Sequence, residues 1–291
     1  MFHRKTFRLK LPRRTLVLGE RTVVMGVLNV TPDSFSDGGR FFAVDEAVIQ
    51  GFAMEKAGAD ILDIGGESTR PGSMGISSEE EMRRVLPIME RLRGKLKIPI
   101  SIDTQKAEVA EAAVKAGAEI INDISALRTE PAIADVSRRY KLPVILMHMR
   151  GEPRTMQKQP FARDVMRDVT RGLRAAVGRA RKAGIAKPQI ILDPGIGFGK
   201  SYAQNCELLA RLPELARLGY PLLLGTSRKA FIGAILGGAK NPWPAGKRLW
   251  GTAATVVASI FGGAHIVRVH DVAEMAQVAR IADAVVNAKS K

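Results

Sequence analysis

Short apolar runs alternate with longer amphipathic stretches along most of this chain. The runs are rich in Ile, Val and Leu and are bounded by glycine, proline or charged residues, which is typical of buried strands. Eight of them are predicted as β-strands: residues 22–30, 60–65, 99–103, 119–123, 143–148, 189–193, 221–225 and 264–269. This alternation indicates βαβ units and a parallel sheet.

The stretches between the runs have the 3.6-residue periodicity of helices. The clearest predicted helices cover residues 44–57, 78–92, 106–116 and 165–183. Two of them end in Ala-Gly-Ala and a third ends at Gly184, and glycine after the last periodic residue is a helix-stop signal. The pattern therefore places a helix between successive strands.

Eight strand–helix units in 291 residues match the usual size of a (β/α)₈ barrel. The runs IILD and PLLLG are almost wholly Ile and Leu, as expected for strands buried on both faces. We therefore predict an α/β fold, a (β/α)₈ TIM barrel that forms a single domain over residues 21–291. An open doubly wound sheet would give the same alternation. Residues 1–20 predict a short β-hairpin that closes the N-terminal end of the barrel.

Composition narrows the classes of protein that remain. Charged residues interrupt every apolar stretch, so we expect no membrane span. The basic N-terminus has no apolar segment of a secretory signal, and the single Cys206 excludes an internal disulfide, so we expect a cytoplasmic protein. The net charge is +16, which suits either anionic substrates or nucleic acid. The basic residues form no single stripe and only 5% of residues are aromatic, which favours a solvated surface over nucleic-acid binding.

Polar residues follow each predicted strand, where a barrel of this kind has its active site. Some of them are expected only to cap the following helix. The candidates at these strand ends are Asn29, Asp103, Asn122, Asp123, His148, Asp193, Arg268 and His270, with the loops GGESTRPG and GTSRK after two further strands. A buried carboxylate or amide is costly unless it has a partner, so this set indicates a binding site.

Three loops rich in small residues, VTPDSFSDGG, GGESTRPG and DPGIGFGK, allow backbone amides to approach anions closely. The segment Gly199-Lys200-Ser201 is not a P-loop, because position 194 holds proline where that motif needs glycine. His148 has no His-x-His partner and the chain has four histidines, which argues against a zinc hydrolase.

Eight segments, in order along the chain, resemble the dihydropteroate synthase family. They are LNVTPDSFSDGG (28–39), DIGGESTRPGS (63–73), SIDTQKAEVA (101–110), INDISAL (121–127), LMHMRGEPRTMQ (146–157), ILDPGIGFGKS (191–201), LLGTSRKAFIG (223–233) and VRVHDV (267–272). The resemblance implies a (β/α)₈ barrel. It also implies a transferase of folate synthesis that joins 6-hydroxymethyl-7,8-dihydropterin pyrophosphate to p-aminobenzoate, and a target of sulfonamides.

The resemblance also implies the role of each candidate residue. The pterin pyrophosphate is expected to contact Asn29, Thr69, Asp103, Asn122, Asp193, Lys229, Arg268 and His270. The p-aminobenzoate is expected to contact Phe35, Thr69, Arg70, Pro71 and Phe198. The expected catalytic residues are Asp37, Lys229, Arg268 and His270, with Mg²⁺ held by Asn29 and the diphosphate.

One position departs from the family pattern. Many members have serine after the lysine of the SRK segment, where it helps to bind the p-aminobenzoate carboxylate, and here the residue is Ala230. The family resemblance further implies a dissociative reaction, a homodimer, and neither nucleic-acid nor membrane partners. Two alternatives remain open at this stage: a pterin-binding methyltransferase that acts on methyltetrahydrofolate, and a homologue that binds pterin without turnover.

Overall fold

The computed structural model describes residues 4–31, 39–68, 73, 75–151, 155–156 and 161–288. Two strands at the N-terminus form an antiparallel hairpin, and the other eight form one parallel sheet. The strands are β1 (Phe7–Lys10), β2 (Thr15–Leu18), β3 (Val23–Asn29), β4 (Ile61–Gly65), β5 (Ile100–Asp103), β6 (Ala118–Asp123), β7 (Val144–Met147), β8 (Ile190–Asp193), β9 (Leu223–Leu224) and β10 (Ile266–Val269).

The parallel sheet closes on itself. Its strands are hydrogen-bonded in the order β8-β7-β6-β5-β4-β3-β10-β9. The two end strands meet through a parallel bridge between Leu192 and Leu222, where the Leu192 amide donates to the Pro221 carbonyl at 2.9 Å. Closure removes the unpaired edges that an open sheet would leave. The (β/α)₈ barrel prediction is therefore confirmed, and the open-sheet alternative is wrong.

Helices pack around the outside of the barrel. In the described residues they are α1 (Gly39–Lys56), α2 (Ser78–Leu92), α3 (Ala107–Lys115), α4 (Ile133–Tyr140), α5 (Val165–Lys182), α6 (Tyr202–Ala210), α7 (Leu212–Ala216), α8 (Ala230–Gly237), α9 (Leu249–Phe261) and α10 (Val272–Val286). Several begin at side-chain caps: the Ser77 hydroxyl accepts from the Glu80 amide at 3.2 Å, and Asp164 accepts from the Arg167 amide at 2.9 Å. None of the helices in these described ranges is long and apolar enough to cross a bilayer.

The hairpin plugs the N-terminal end of the barrel. Leu9, Leu11 and Leu18 are buried in one apolar cluster with residues that line the barrel, including Met25 and Ile145. The alternation of TFRLKLP and TLVLG places these leucines on one face, because successive side chains of a strand point to opposite sides. The predicted hairpin is confirmed, and it seals the end opposite the active site.

Predicted element bounds agree with the structure to within a few residues. Among the strands, the largest difference concerns the seventh predicted one, 221–225, which pairs as a strand only over Leu223–Leu224. Its neighbours Pro221 and Gly225 explain the shortening, since proline has no N–H for the ladder and glycine weakens a strand. The helix predicted from Val44 begins earlier, at Gly39.

Candidate active site

Interior residues of the barrel change from apolar to polar along five of its strands. Four of these strands contribute an isoleucine to the apolar interior, Ile61, Ile120, Ile191 and Ile266, and Ser101 takes this place on β5. Residues two positions apart point to the same side of a strand. The residues two positions further along these five strands are Asp63, Asp103, Asn122, Asp193 and Arg268. The polar site therefore begins where the apolar core ends.

Arg268 lies between two carboxylates in this layer. Its Nε donates to Asp63 Oδ2 at 2.6 Å, and its Nη2 donates to Asp103 Oδ2 at 2.7 Å. Although burial disfavours its charge, the two carboxylates raise the pKa of Arg268 above its usual value. The planar guanidinium suits this bridge because it presents several donors in a fixed geometry. These hydrogen bonds fix the positions of both carboxylates and occupy one edge of the guanidinium.

Asn122 extends the same network. Its Nδ2 donates to Asp63 Oδ2 at 3.1 Å, so that oxygen accepts from two side chains. The other carboxylate oxygen of Asp63 is buried and has no hydrogen-bond partner among the described residues. A buried acceptor without a partner is costly. The network is therefore incomplete without a further donor.

Lys229 and Asp193 lie on the other side of the layer. The Gly195 amide donates to Asp193 Oδ1 at 2.7 Å, and Lys229 Nζ lies 4.1 Å from the centre of the Phe198 ring. Gly195 has φ +67°, and a side chain there would bring Cβ to 2.0 Å from the His148 carbonyl oxygen. Only glycine allows this tight turn, which directs the amide at Asp193.

Burial moves the pKa values of these groups toward 7. It raises the pKa of Asp103 to about 7, against the opposing effect of Arg268, and it raises the pKa of Asp193 to about 6. Burial, with the charge of Arg268, lowers the pKa of Lys229 to about 8. Shifted pKa values that cluster in a cleft are typical of functional sites.

His270 and Asn29 stand at the rim. The His270 amide donates to Ser227 Oγ at 3.2 Å, and its Nδ1 lies 3.0 Å from the same hydroxyl. Burial and then the charge of Arg268 lower the pKa of His270 to about 3, so its ring is neutral at pH 7. Asn29 ends β3 and is half-buried.

Comparison with known proteins identifies the family to which this chain belongs. A model of the pterin binding enzyme family matches residues 25–270. The dihydropteroate synthase of Synechocystis sp. is 53% identical over 266 residues, covering 91% of this chain and 91% of that protein. This chain belongs to the pterin binding enzyme family. The dihydropteroate synthase of Bacillus subtilis is 47% identical over 268 residues, covering 92% of this chain and 90% of that protein.

Solved structures of family members agree with the fold. Dihydropteroate synthase from Xanthomonas albilineans, solved with 4-aminobenzoic acid, has a TM-score of 0.90 and 44% identity, and covers 98% of this chain and 100% of its own. The structure of the same enzyme with 7,8-dihydropteroate has a TM-score of 0.86 and 43% identity, over 97% of this chain and 100% of its own. The resemblance seen in the motifs is confirmed.

Several predicted site residues converge, as the family resemblance implies. Asp103, Asn122 and Arg268 are joined through shared hydrogen bonds, and Phe198 lies under Lys229. Asp193 and Lys229 interact electrostatically. The predicted residues Phe35, Asp37, Thr69, Arg70 and Pro71 lie outside the described residues.

Two strand-end candidates have structural contacts elsewhere. Asp123 accepts from the Ser125 and Leu127 amides at 2.7 and 2.6 Å, so it shapes the turn after β6. The His148 ring packs against Gly172 of α5, and its Nε2 lies 3.5 Å from Asp168. Asp123 thus fixes a turn and His148 packs against α5, so both have structural contacts outside the polar layer.

Sequence reasoning missed Asp63, although a signal was present. The residue interrupts the buried run ILDIG, and an unpaired carboxylate inside such a run is costly. Its partner Arg268 is 205 positions away, so only the fold shows the pair. Lys200 was also missed: its Nζ donates to the carbonyls of Gly195 and Phe198 at 2.8 and 3.0 Å and holds the loop after β8.

Proposed function

We propose that this protein condenses 6-hydroxymethyl-7,8-dihydropterin pyrophosphate with p-aminobenzoate to give 7,8-dihydropteroate and pyrophosphate. The observation that carries the proposal is the polar layer of Asp63, Asp103, Asn122, Asp193 and Arg268 at the carboxyl ends of the strands, in which Asp63, Asn122 and Asp193 are buried. The relatives named as dihydropteroate synthases favour this activity over the methyltetrahydrofolate methyltransferase alternative. A sulfonamide complex of the Yersinia pestis enzyme supports sulfonamide sensitivity here too.

The pterin ring suits the buried acceptors. Its amino and ring N–H groups are donors, and ionised carboxylates give charge-assisted hydrogen bonds to them. The unpartnered oxygen of Asp63 adds an acceptor that the sequence had not indicated. Lys229 would donate to acceptor atoms of the ring. A pocket that pairs specific N–H groups rejects analogues that lack them.

The diphosphate is proposed to lie near Asn29, Arg268 and His270, at the rim above the pterin. Mg²⁺ prefers oxygen ligands, and it is commonly bound through one or two protein oxygens and substrate phosphates. The amide oxygen of Asn29, half-buried at the end of β3, fits such a role. No group of three or more His, Cys, Asp or Glu residues suited to a metal occurs among the described residues, so a cage made by protein alone is not what this site offers. When bound, Mg²⁺ would neutralise charge on the leaving diphosphate.

The protein's own part in the reaction is to bind, orient and exclude water. In the dissociative course that the family resemblance implies, the C–O bond to the diphosphate breaks first, and the amine of p-aminobenzoate then attacks the exocyclic carbon. The carboxylates around the ring would stabilise the positive charge that develops on the pterin. Phe198, which is buried beside Lys229, would shield the reacting carbon from water.

The carboxylate of p-aminobenzoate lacks one expected partner. Ala230 is the first residue of α8 and carries no hydroxyl. Thr69, Arg70 and Pro71 stay predictions for this part of the site. We propose that the remaining donors hold the carboxylate without a serine at position 230.

The direct test is incubation of the purified protein with both substrates and Mg²⁺, followed by chromatography for 7,8-dihydropteroate and assay of pyrophosphate. We expect equimolar amounts of the two products, and inhibition by a sulfonamide that p-aminobenzoate relieves. Tight binding of the pterin substrate with no product would instead support the non-catalytic alternative.

Replacing Asp103 with asparagine should weaken pterin binding by about tenfold or more. The change removes a charge-assisted acceptor and leaves one bond of Arg268 without its anion. Isothermal titration with the pterin substrate measures the effect. Asp135, which is exposed on α4, gives a matched control as Asp135→Asn. Unchanged affinity in Asp103→Asn would remove this residue from the pterin site.

Pterin affinity should fall as the pH is lowered from 8 to 5. Burial raises the pKa values of Asp103 and Asp193 to about 7 and about 6, so their charged forms are lost as pH falls through those values. Each protonated carboxyl loses acceptor capacity, and affinity should drop about tenfold per pH unit per group below its pKa. Calorimetric titrations across this range should show the two steps, and Asp103→Asn should lack the one near pH 7.

A homodimer is proposed from the outer surface. Apolar side chains on α8, α9 and α10 are exposed: Ile235, Leu236, Trp250, Ile281 and Val285. Trp250 is 80% exposed and Ile281 is 68% exposed, and clustered apolar residues of this kind are typical of interfaces. Sedimentation of the wild-type protein and of Trp250→Glu would test the proposal. The dimer of the variant should dissociate into monomers at protein concentrations at which the wild-type protein is still dimeric. The cytoplasmic location stays a prediction.

A further inference from the structure

A cavity of about 300 Å³ lies outside the barrel, between α5 and the loops that follow β6 and β7. Four guanidinium groups line it, from Arg128, Arg150, Arg171 and Arg179, together with one carboxylate, Asp168. The formal charge of these five groups is +3, from four arginines and one aspartate. A concave, strongly positive surface attracts anions.

Asp168 forms ion pairs with two of the four arginines. Its Oδ1 accepts from Arg171 Nη2 at 3.0 Å and lies 3.4 Å from Arg150 Nη1. Hydrogen bonding to His148 and these cations lowers the pKa of Asp168 to about 2, so it stays ionised. Its negative charge is therefore already balanced, and it does not neutralise the other wall of the cavity.

Arg128 and Arg179 form that other wall and donate only to main-chain carbonyls in the described residues. Arg179 Nε and Nη2 donate to the Ala126 carbonyl at 3.1 and 2.8 Å. Arg128 donates from Nε to the Ser125 carbonyl at 2.9 Å and from Nη2 to the Met149 carbonyl at 3.0 Å. Among the described residues, neither has a carboxylate within 4.0 Å. Each keeps its Nη1 donors for another partner.

The two guanidiniums are also held in place. Two of the three carbonyls that they bind, those of Ser125 and Ala126, belong to the turn after β6, which Asp123 fixes through the Ser125 and Leu127 amides. Ala126 and Leu127 have φ values of 53° and 62°, a strained conformation for residues with a Cβ. Burial, and then repulsion by the charge of Arg128, lower the pKa of Arg179, and the Asp123 carboxylate opposes this effect. An anion between the two guanidiniums would relieve this repulsion.

We propose that this cavity binds a phosphate group. A dianionic phosphate matches two guanidiniums that form no salt bridge in the described residues, and the Nη1 donors of each can give charge-assisted hydrogen bonds to phosphate oxygens. A volume of about 300 Å³ exceeds what a single phosphate fills, so it admits a phosphate monoester as well as free phosphate. Both present the same tetrahedral oxyanion to Arg128 and Arg179.

This site is separate from the proposed diphosphate position of the reaction. The cavity adjoins β6 and β7, whereas Asn29 and Arg268 belong to β3 and β10. In the closed sheet order, β3 lies opposite β7. Met147 and Met149 line the cavity and also belong to the apolar cluster that contains Phe198. One layer of side chains thus separates the cavity from the barrel mouth.

Equilibrium dialysis of the full-length protein with labelled orthophosphate, at constant ionic strength and pH 7.5, tests the proposal. We expect a saturable site, additional to any binding at the proposed diphosphate position, whose affinity falls about tenfold or more in Arg128→Gln and in Arg179→Gln. Arg174→Gln is the matched control, because Arg174 is exposed on the same helix and does not line this cavity. Its affinity should stay within twofold of wild type. A second arm with phenyl phosphate as competitor distinguishes a monoester site from one that takes only free phosphate.

His270→Gln separates the cavity from the active site and should leave this phosphate binding unchanged. Loss of binding in His270→Gln but not in Arg179→Gln would overturn the proposal, as would equal loss in Arg174→Gln or no saturable binding. Thermal melts in phosphate-free buffer show whether each variant is folded. If Arg128→Gln and Arg179→Gln both unfold, Arg171→Gln decides: its side chain is 75% exposed, and its loss frees part of the Asp168 charge, which should weaken binding about threefold. Unchanged binding there would count against the site.

Discussion

Replacing Arg268 with lysine should lower kcat/KM at least about a hundredfold, the largest loss of activity that we expect from a substitution that keeps the charge. Arg268 bonds Asp63 through Nε at 2.6 Å and Asp103 through Nη2 at 2.7 Å. A lysine ammonium is a single point charge on a flexible stem, and it cannot reproduce two directed bonds from one plane. One carboxylate would lose its partner, and breaking a buried ion pair costs about 3–5 kcal/mol.

Steady-state kinetics with each substrate varied in turn measures this effect. The reduction should appear mainly in kcat and in the KM for the pterin, because we propose that both carboxylates bind the pterin. Arg8→Lys is the control: Arg8 is exposed on β1, at the opposite end of the barrel. Activity of Arg268→Lys within tenfold of wild type would show that the bridge between the two carboxylates is dispensable.

Replacing Lys106 with methionine should destabilise the protein by about 3–5 kcal/mol and lower Tm by about 6–15 °C. Lys106 Nζ donates to Glu81 Oε2 at 2.5 Å and to Glu67 Oε2 at 2.6 Å. The Glu81 side chain is fully buried, and burial already raises the pKa of Glu81. Without the lysine, a buried carboxylate would have to be protonated or remain charged without a cation, and either state is unfavourable.

The same substitution should affect p-aminobenzoate more than the pterin. Glu67 directly precedes the segment with Thr69, Arg70 and Pro71, and its Oε1 accepts from the Ile76 amide at 3.3 Å. Glu67 thereby joins the two ends of that segment, and Lys106 anchors it to α2. We expect KM for p-aminobenzoate to rise more than KM for the pterin. A lower apparent kcat with both KM values unchanged would indicate a loss of folded protein alone.

Lys115→Met provides the matched comparison for both measurements. Lys115 lies at the end of α3, and its side chain is 64% exposed where it pairs with Glu111. Exposed pairs of this kind contribute about 0–1 kcal/mol. Calorimetric or circular-dichroism melts should therefore show almost no change for Lys115→Met. A similar Tm for the two variants would mean that the Glu67–Lys106–Glu81 group does not stabilise the fold.

Some of the site was predictable because it follows from local pattern. Polar residues at strand ends are visible in a sequence once the strands are recognised, and parallel strands end on the same side of a barrel. Asp103, Asn122 and Asp193 were found in this way, and the motifs added Lys229 and Phe198. The pattern could not tell which strand-end residues turn outward. Asp123 and His148 resembled the others and nevertheless serve the turn after β6 and the packing of α5.

The sequence by itself determined the strands, the helices and the family, because hydrophobic periodicity and motif spacing are local properties that need no knowledge of neighbours in space. The tertiary structure decided which side chains contact one another. The bridge from Arg268 to Asp63 and Asp103 joins residues more than 160 positions apart, and the open oxygen of Asp63 has meaning only inside that bridge. The Arg128–Arg179 wall likewise exists only where α5 packs on the turn after β6. Charge neutralisation depends on distance in space, and distance in space is set by how the barrel closes.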